Sequence, residues 1–330
     1  MPRHGITREK IATLSEIDWH REMLADLDRV NAFRAALSEA VHPGDVVLDI
    51  GTGTGLLALF AIQLGASRVY AIEQGDIVNV AEEVVARNGI SREQIRFLKG
   101  HSSQVELPER VDLVVAELIG SFGLEESIIP VLSDARERFL KPGGRLLPSW
   151  LDLHVAPTEE GLTQGRWQRV LAAEHGLDFT PLSNLSQHRP IHMWADPAQL
   201  LADGVRVFRC DFRTSSAATV LEGDATIELT RSGLLCGWMG WFRAGYDQHS
   251  FLSTQPPIAG SSWENVLFPS GDPVPVERGQ VATLKLRLDD PFWSWTVRVA
   301  DHVREYSELH AMPETMLRPL TTAGVAKMGS

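Results

Sequence analysis

One apolar stretch running into three closely spaced glycines constrains this chain more than any other feature. Val46-Val47-Leu48-Asp49-Ile50 leads directly into Gly51-Thr52-Gly53-Thr54-Gly55. The first five residues read as a short strand buried on both faces. The glycines let the backbone turn tightly and leave room for a ligand where a Cβ would intrude. A helix is predicted from about Thr54 to Leu64, so the unit is strand, turn and helix. The alternation then continues. Arg68–Glu73, Ile95–Lys99, Val111–Glu117 and Arg145–Leu147 are predicted strands, and Ile77–Asn88 and Ser127–Leu140 are predicted helices, the first closed by Gly89. Such alternation means a parallel sheet covered by helices. Upstream, Met23, Leu24, Leu27, Val30, Phe33 and Leu37 recur at helical spacing, predicting a helix over Trp19–Glu39. Residues 1–18 are polar and weakly patterned.

Beyond about Trp150 the grammar changes. Ala225–Leu229, Leu234–Phe242, Ala282–Leu288 and Ser294–Val299 are short alternating segments separated by Gly, Pro, Ser and Asp. They predict antiparallel β structure, a sandwich or a barrel. Trp238, Trp241, Trp293 and Trp295 alternate along these strands and are assigned to its core. Residues 161–190 are partly helical in pattern and interrupt the β region.

Composition limits the partners. The 330 residues carry a formal net charge of -12. That sign disfavours nucleic acid and anionic membrane surfaces and favours a cationic substrate. The longest apolar run, Leu56 to Leu64, is too short to span a bilayer. The N-terminus lacks a basic-then-apolar signal pattern. Two cysteines, Cys210 and Cys236, have no metal-ligand spacing, so no metal is expected and a reducing, cytoplasmic setting is.

Two ligands compete for the glycine turn. A dinucleotide loop wants Gly-x-Gly-x-x-Gly, and here the last position is Leu56. Asp49 precedes the first glycine, where a carboxylate is unwelcome beside a pyrophosphate but suits the cationic methionyl end of S-adenosylmethionine. Glu73, ending the second strand, is placed to accept from ribose hydroxyls. The turn, with Gly51 and Gly53 against the ligand, therefore predicts an S-adenosylmethionine site.

Strand four runs into Glu117-Leu118-Ile119-Gly120-Ser121-Phe122-Gly123-Leu124-Glu125-Glu126-Ser127. Open α/β sheets bind ligands at the carboxyl ends of their strands, so Glu117 is expected to face the methyl donor. With Glu126 returning from the start of the next helix, the segment resembles the paired-glutamate loop of the protein arginine N-methyltransferases. Two carboxylates make chemical sense there. A guanidinium is essentially always charged, and a sulfonium about 4 Å away repels it by about 4 kcal/mol at an effective dielectric near 20. Paired acids offset that repulsion and orient one nitrogen for in-line attack. Read without the resemblance, Glu125 and Glu126 merely favour a helix N-terminus.

The resemblance covers roughly residues 19–300. His20-Arg21-Glu22-Met23-Leu24-Ala25-Asp26-Leu27-Asp28-Arg29 is similar to the family's helix before the cofactor strand. It implies that His20 and Arg29 bind the cofactor, Arg29 through its carboxylate, and that Met23 and Asp26 border the substrate pocket. Ser261-Ser262-Trp263 falls where the family has a Thr-His-Trp loop on its barrel. Trp263 would stack on a substrate guanidinium or fill the domain interface. The implied architecture is α/β followed by β: a helical segment over the cofactor (1–40), a Rossmann-like class I methyltransferase domain (41–150), a β-barrel substrate domain (151–315) with a helical dimerisation arm at about 161–190, and a flexible tail (316–330). A homodimer follows from the same resemblance.

Three positions depart from the family. Ser262 replaces a histidine that pairs with the aspartate matching Asp26. Lys10 to Trp19 holds no tyrosine, although the family has a tyrosine-rich lid there. Ser103 replaces a glutamate that helps hold the adenine, which Ser103 or Gln104 is expected to hydrogen-bond instead. The chain is thus read as an arginine N-methyltransferase acting on an arginine-containing protein or on a free guanidino compound. A methyltransferase for an amine or hydroxyl of a metabolite, and a non-catalytic scaffold on the same fold, are the alternatives.

Overall fold

The computed structural model describes residues 8–161, 177, 185–216, 220–258, 261–289 and 291–311. Two helices come first, α1 (Arg8–Ala25) and α2 (Leu27–Ala40). The continuous helix predicted over Trp19–Glu39 is therefore broken at Asp26, and the weakly patterned start is helical from Arg8. The reason is local. The Asp26 side chain accepts the Arg29 backbone N–H at 2.9 Å and so caps α2, competing with a continuous helix for that donor.

The predicted parallel sheet follows. It comprises β1 (Val46–Ile50), β2 (Arg68–Glu73), β3 (Ile95–Lys99), β4 (Val111–Ala116) and β5 (Leu140–Leu147), with α3 (Leu56–Gln63), α4 (Val78–Arg87) and α5 (Ile128–Arg138) between strands. The strand order is β3-β2-β1-β4-β5 and every pairing is parallel. Val47, Leu48, Val69, Ala71, Leu113 and Val114 are fully buried, as strands covered on both faces require. The order reverses between β1 and β4. A crevice opens at the carboxyl ends of these neighbours, the place where open α/β sheets bind ligands.

After Leu147 the chain enters antiparallel structure. β6 (Trp150–Thr158), β7 (Ile191–Met193), β8 (Val205–Asp211), β10 (Gly233–Tyr246), β11 (His249–Ser253) and β12 (Asn265–Val276) form one sheet. β9 (Leu221–Glu228), β13 (Val281–Asp289), β14 (Phe292–Val299) and β15 (His302–Ser307) form the other, and α6 (Glu308–Ala311) follows. The two sheets close on one core in a barrel-like arrangement. Trp238, Trp241, Trp293 and Trp295 are all within 5 % exposure, as their alternation predicts. Trp295 donates its indole N–H to the Pro269 carbonyl at 2.8 Å, joining the sheets. Cys210 and Cys236 are free and buried. Most of the expected arm at 161–190, and the tail at 316–330, lie outside the described residues. Among the described residues no helix is long and apolar enough to cross a membrane.

Phe122, from the loop after β4, is fully buried against Phe268 and Trp293 of the barrel. Phe33 of α2 meets Phe251 of β11 edge-on at 5.1 Å. Parallel sheet, helix pair and barrel are thereby packed around one cleft.

Candidate active site

The cleft has a volume of about 1520 Å³ and is walled by α1, the α1–α2 junction, the turns after β1, β2 and β4, and the edge of the barrel. Its cofactor side is made by the glycine turn. Gly51, Gly53 and Gly55 have φ of +71, +53 and +81°, the left-handed region that only glycine enters without strain. A Cβ on Gly53 would sit 2.8 Å from the His20 ring, and one on Gly51 2.9 Å from Leu118. The turn is therefore pressed between α1 and the loop after β4.

Glu73 holds the turn from the next strand. Its Oε2 accepts the Gly53 N–H at 3.0 Å and its Oε1 the Gly75 N–H at 2.7 Å. A carboxylate has about four acceptor sites, so two remain for ligand hydroxyls facing the cleft.

Asp49 corrects the sequence reading. It is 1 % exposed and lies behind the turn rather than among the cleft walls, with Oδ2 accepting the Thr52 hydroxyl at 2.6 Å. A strand residue pointing into the sheet's covering layer cannot also point out of the strand's end. Burial, with the Glu73 and Glu117 charges adding, pushes its carboxyl up to about 7. Any influence on a ligand therefore acts through the turn and not by contact.

Ser103 is a second correction. It is exposed, it does not line the cleft, and its hydroxyl bonds to His101 Nδ1 at 2.8 Å. A short 3₁₀ turn over Ser102–Gln104 points it outward, and His101 and Ser102 line the cleft in its place.

The acids occupy the other side. Glu117 and Glu126 both open onto the cleft, although nine residues separate them. They stand close enough that the Glu117 charge acts on Glu126. Although the side chain is exposed, desolvation at the cleft, then the Glu117 and Glu125 charges, push the Glu126 carboxyl up to about 7, with Arg29 opposing. Arg29 reaches from α2 to form an ion pair with Glu117 Oε2 and donates to the Met23 carbonyl at 3.2 Å. Its guanidinium lies 5.4 Å over the Trp263 ring.

Trp263 lines the cleft and stacks on the guanidinium of Arg29. It is 6 % exposed, meets Phe242 edge-on, and donates its indole N–H to the Ile119 carbonyl at 2.7 Å. It is the interface residue, fastening the loop after β4 to the barrel. Asp26 is engaged on both oxygens. While Oδ1 caps α2, Oδ2 accepts both the backbone N–H and the hydroxyl of Ser262, at 2.6 and 3.0 Å. It latches the helix junction to the edge of the barrel, and Ser262 gives it an uncharged partner. Met23 lines the cleft beside these groups.

Four wall residues escaped the sequence reading. His192, Trp194 and Glu264 come from the barrel, and nothing local marks them as facing the cleft. Glu125 was legible only as a helix-start acid. No group of acids, histidines and cysteines with metal-site geometry occurs among the described residues.

Comparisons with known proteins agree with this geometry. Residues 33–152 match the family profile described as ribosomal protein L11 methyltransferase (PrmA). The chain is 31% identical over 279 residues to protein arginine N-methyltransferase 6 of Xenopus tropicalis, covering 80% of this chain and 81% of that protein. It is also 31% identical over 285 residues to the histone-arginine methyltransferase CARMER of Drosophila persimilis, spanning 82% of this chain and 53% of the relative. Its fold matches the Trypanosoma brucei PRMT1 enzyme–prozyme heterotetrameric complex with AdoHcy (TM-score 0.78, 23% identity, 87% of this chain and 97% of that one). It matches Arabidopsis thaliana protein arginine methyltransferase 10 similarly (TM-score 0.75, 24% identity, 88% and 97% covered). At the identity and coverage of the Xenopus tropicalis match, the chain belongs to the protein arginine N-methyltransferase family.

Proposed function

We propose that this S-adenosylmethionine-dependent arginine N-methyltransferase acts on arginine held in a protein rather than on the free amino acid. The charge of the cleft carries the reading. Glu22, Glu73, Glu117, Glu125, Glu126 and Glu264 line it, while Arg29 is the only Lys or Arg among the described lining residues and is paired with Glu117. A free amino acid would bring a second α-carboxylate besides the cofactor's, and with Arg29 already engaged no further lining arginine or lysine among the described residues would receive it, whatever its α-ammonium gains from the acids. A peptide arginine brings the guanidinium without that carboxylate. The paired acids also favour a cationic acceptor over a hydroxyl, and a scaffold would need neither.

The residues fit the cofactor: two glycines carry a left-handed turn along the cleft wall where a Cβ would meet His20 or Leu118, and the Glu73 carboxylate holds that turn with acceptor sites to spare. His20 and Arg29 flank the same space. When bound, S-adenosylmethionine supplies a methyl group on a sulfonium sulfur. Glu117, oriented by Arg29, and Glu126 then grip the substrate guanidinium from two sides and align one nitrogen. A guanidinium nitrogen that gains a methyl group would have to release one N–H proton. Glu126, with a carboxyl near neutrality, is matched to accept it.

Label transfer from methyl-labelled S-adenosylmethionine tests this reading. An arginine-rich peptide is expected to take up label and free arginine is not. Comparable kcat/KM on free arginine would overturn the protein-substrate reading. Label in neither, despite cofactor binding, would overturn the enzyme. A homodimer is part of the same proposal, supported by the heterotetrameric complex that a protein of the same fold forms; a monomer in sedimentation at micromolar concentration would count against it. Reduced Cys210 and Cys236 support the proposed cytoplasmic setting.

A further inference from the structure

We infer that Glu125 is a positioning residue for methyl transfer, the internal strut of the β4–α5 hairpin that sets where Glu126 stands against Glu117. This rests on the function proposed above. Fully extended, the nine residue steps from Glu117 to Glu126 would span about 30 Å. The two acids share one cleft only because the hairpin between them folds back on itself, so whatever fixes that fold fixes their geometry.

The hairpin is fixed from outside and from inside. Outside, Phe122 is buried against Phe268 and Trp293, and the Trp263 indole N–H holds the Ile119 carbonyl. Inside, the Gly123 N–H closes a turn onto the Gly120 carbonyl at 2.9 Å. The Glu125 carboxyl group then folds under that turn. Its Oε1 accepts the Phe122 N–H at 2.8 Å. Its Oε2 packs onto Gly120 so closely that a Cβ there would fall on it, with the Glu125 Cδ only 3.0 Å away. That oxygen is buried and has no hydrogen-bond partner.

This geometry is not that of a helix-start acid. The carboxyl group points backward into the hairpin, away from the first turn of α5, whose N-cap is Ser127. A buried oxygen without a donor is costly, and a residue kept there at that cost is doing something the hairpin needs. Glu126 is the next residue and takes its direction from the strut.

Charge links the two as well. Burial pushes Glu125 up to about 7, the amides of Glu125, Phe122 and Leu124 oppose this, and Glu308 of α6 adds to it. Glu126 in turn faces Glu117 from β4, Glu125 from its own loop and Arg29 from α2. Removing the Glu125 charge takes away one negative neighbour and eases ionisation of Glu126.

The test compares Glu125→Ala and Glu125→Gln by cofactor Kd, by kcat/KM on an arginine-rich peptide, and by the pH dependence of kcat/KM. Glu125→Ala loses the Phe122 acceptor and is expected to lower kcat/KM by about ten- to a hundredfold, with cofactor Kd unchanged. Glu125→Gln keeps an acceptor there, recovers part of that loss, and moves the acid limb of the profile to lower pH. Wild-type kcat/KM and an unmoved acid limb in both variants would overturn the inference. So would a cofactor Kd that weakens in step with turnover, because Glu125 would then serve the whole fold. A wild-type enzyme with no activity on arginine peptides would instead remove the function itself, an outcome distinct from either.

Discussion

Two loops leave neighbouring strands of the same sheet and are built on opposite plans. The turn after β1 is fixed by its own backbone. Three glycines with positive φ shape it, and a single carboxylate from the adjacent strand holds it. The hairpin after β4 is fixed by side chains from far away. Trp263 and the Phe268–Trp293 pair anchor it to the barrel, and Arg29 from α2 holds its first acid. One loop presents open backbone to a ligand, and the other presents charge. On the function proposed above, the cofactor would be met by the loop shaped mainly by its own glycines. The substrate would be met by the loop that the barrel controls, which is where one fold can be adapted to different acceptors.

If the division is real, damage to one loop should leave the other's ligand alone. The largest effect is expected from Glu126→Gln, which keeps the shape and removes the charge gripping the guanidinium. Turnover should fall by about 10²–10³-fold, the range for losing one preorganised transition-state contact. Cofactor affinity by calorimetry should not change. A parallel loss of cofactor affinity would break the comparison.

Next comes pH. Only ionised Glu126 can grip and deprotonate the substrate, and its carboxyl is held up to about 7. The log of kcat/KM should therefore rise with pH up to about 7 and level above it, dropping about tenfold for each unit below. Glu125 and Asp49 also sit near 7, so the assignment requires that Glu126→Gln abolish this limb. A limb that survives the substitution would move the titrating group elsewhere.

Gly53→Ala probes the other loop. Its φ of +53° costs a non-glycine residue about 1–2 kcal/mol, and the new Cβ would meet the His20 ring. Cofactor Kd should weaken by about tenfold, while kcat at saturating cofactor stays within a few-fold. A kcat effect larger than the Kd effect would show that the two loops are mechanically coupled.

The smallest effect is expected from Ser262→Ala. Asp26 loses the hydroxyl donor but keeps the Ser262 backbone N–H. About 0.5–1.5 kcal/mol of stability should be lost, as for one hydrogen bond. The acid limb of kcat/KM should stay where it is, because a serine latch carries no titrating charge. A shifted limb would mean that Asp26 takes part in proton transfer.

How much was readable in advance follows the same division. Gly51, Gly53 and Glu73 were legible because turn geometry and strand ends are local features. Glu117 is legible from its position after strand four, and Glu126 only through the resemblance of that loop to the family's paired-glutamate loop. Asp49 and Ser103 were misplaced because spacing gives a position along the chain but not the direction of a side chain. Trp263 was left between two roles that only its burial could separate. Glu125 looked like a helix-start acid because its partner, the Phe122 amide, carries no signature in any sequence.

By itself the sequence determined the alternation of strands and helices, the switch to antiparallel β structure near Trp150, and the crevice beside β1 where a ligand must lie. These rest on hydrophobic period and on the φ angles open to glycine, properties of neighbouring residues. Only the tertiary structure decided which polar atoms meet. Arg29 finds Glu117 across 88 residues, Trp263 finds Ile119 across 144, and Asp26 finds Ser262 across 236. Contacts at that separation form because the packed core fixes where whole elements sit, and no local pattern encodes that distance.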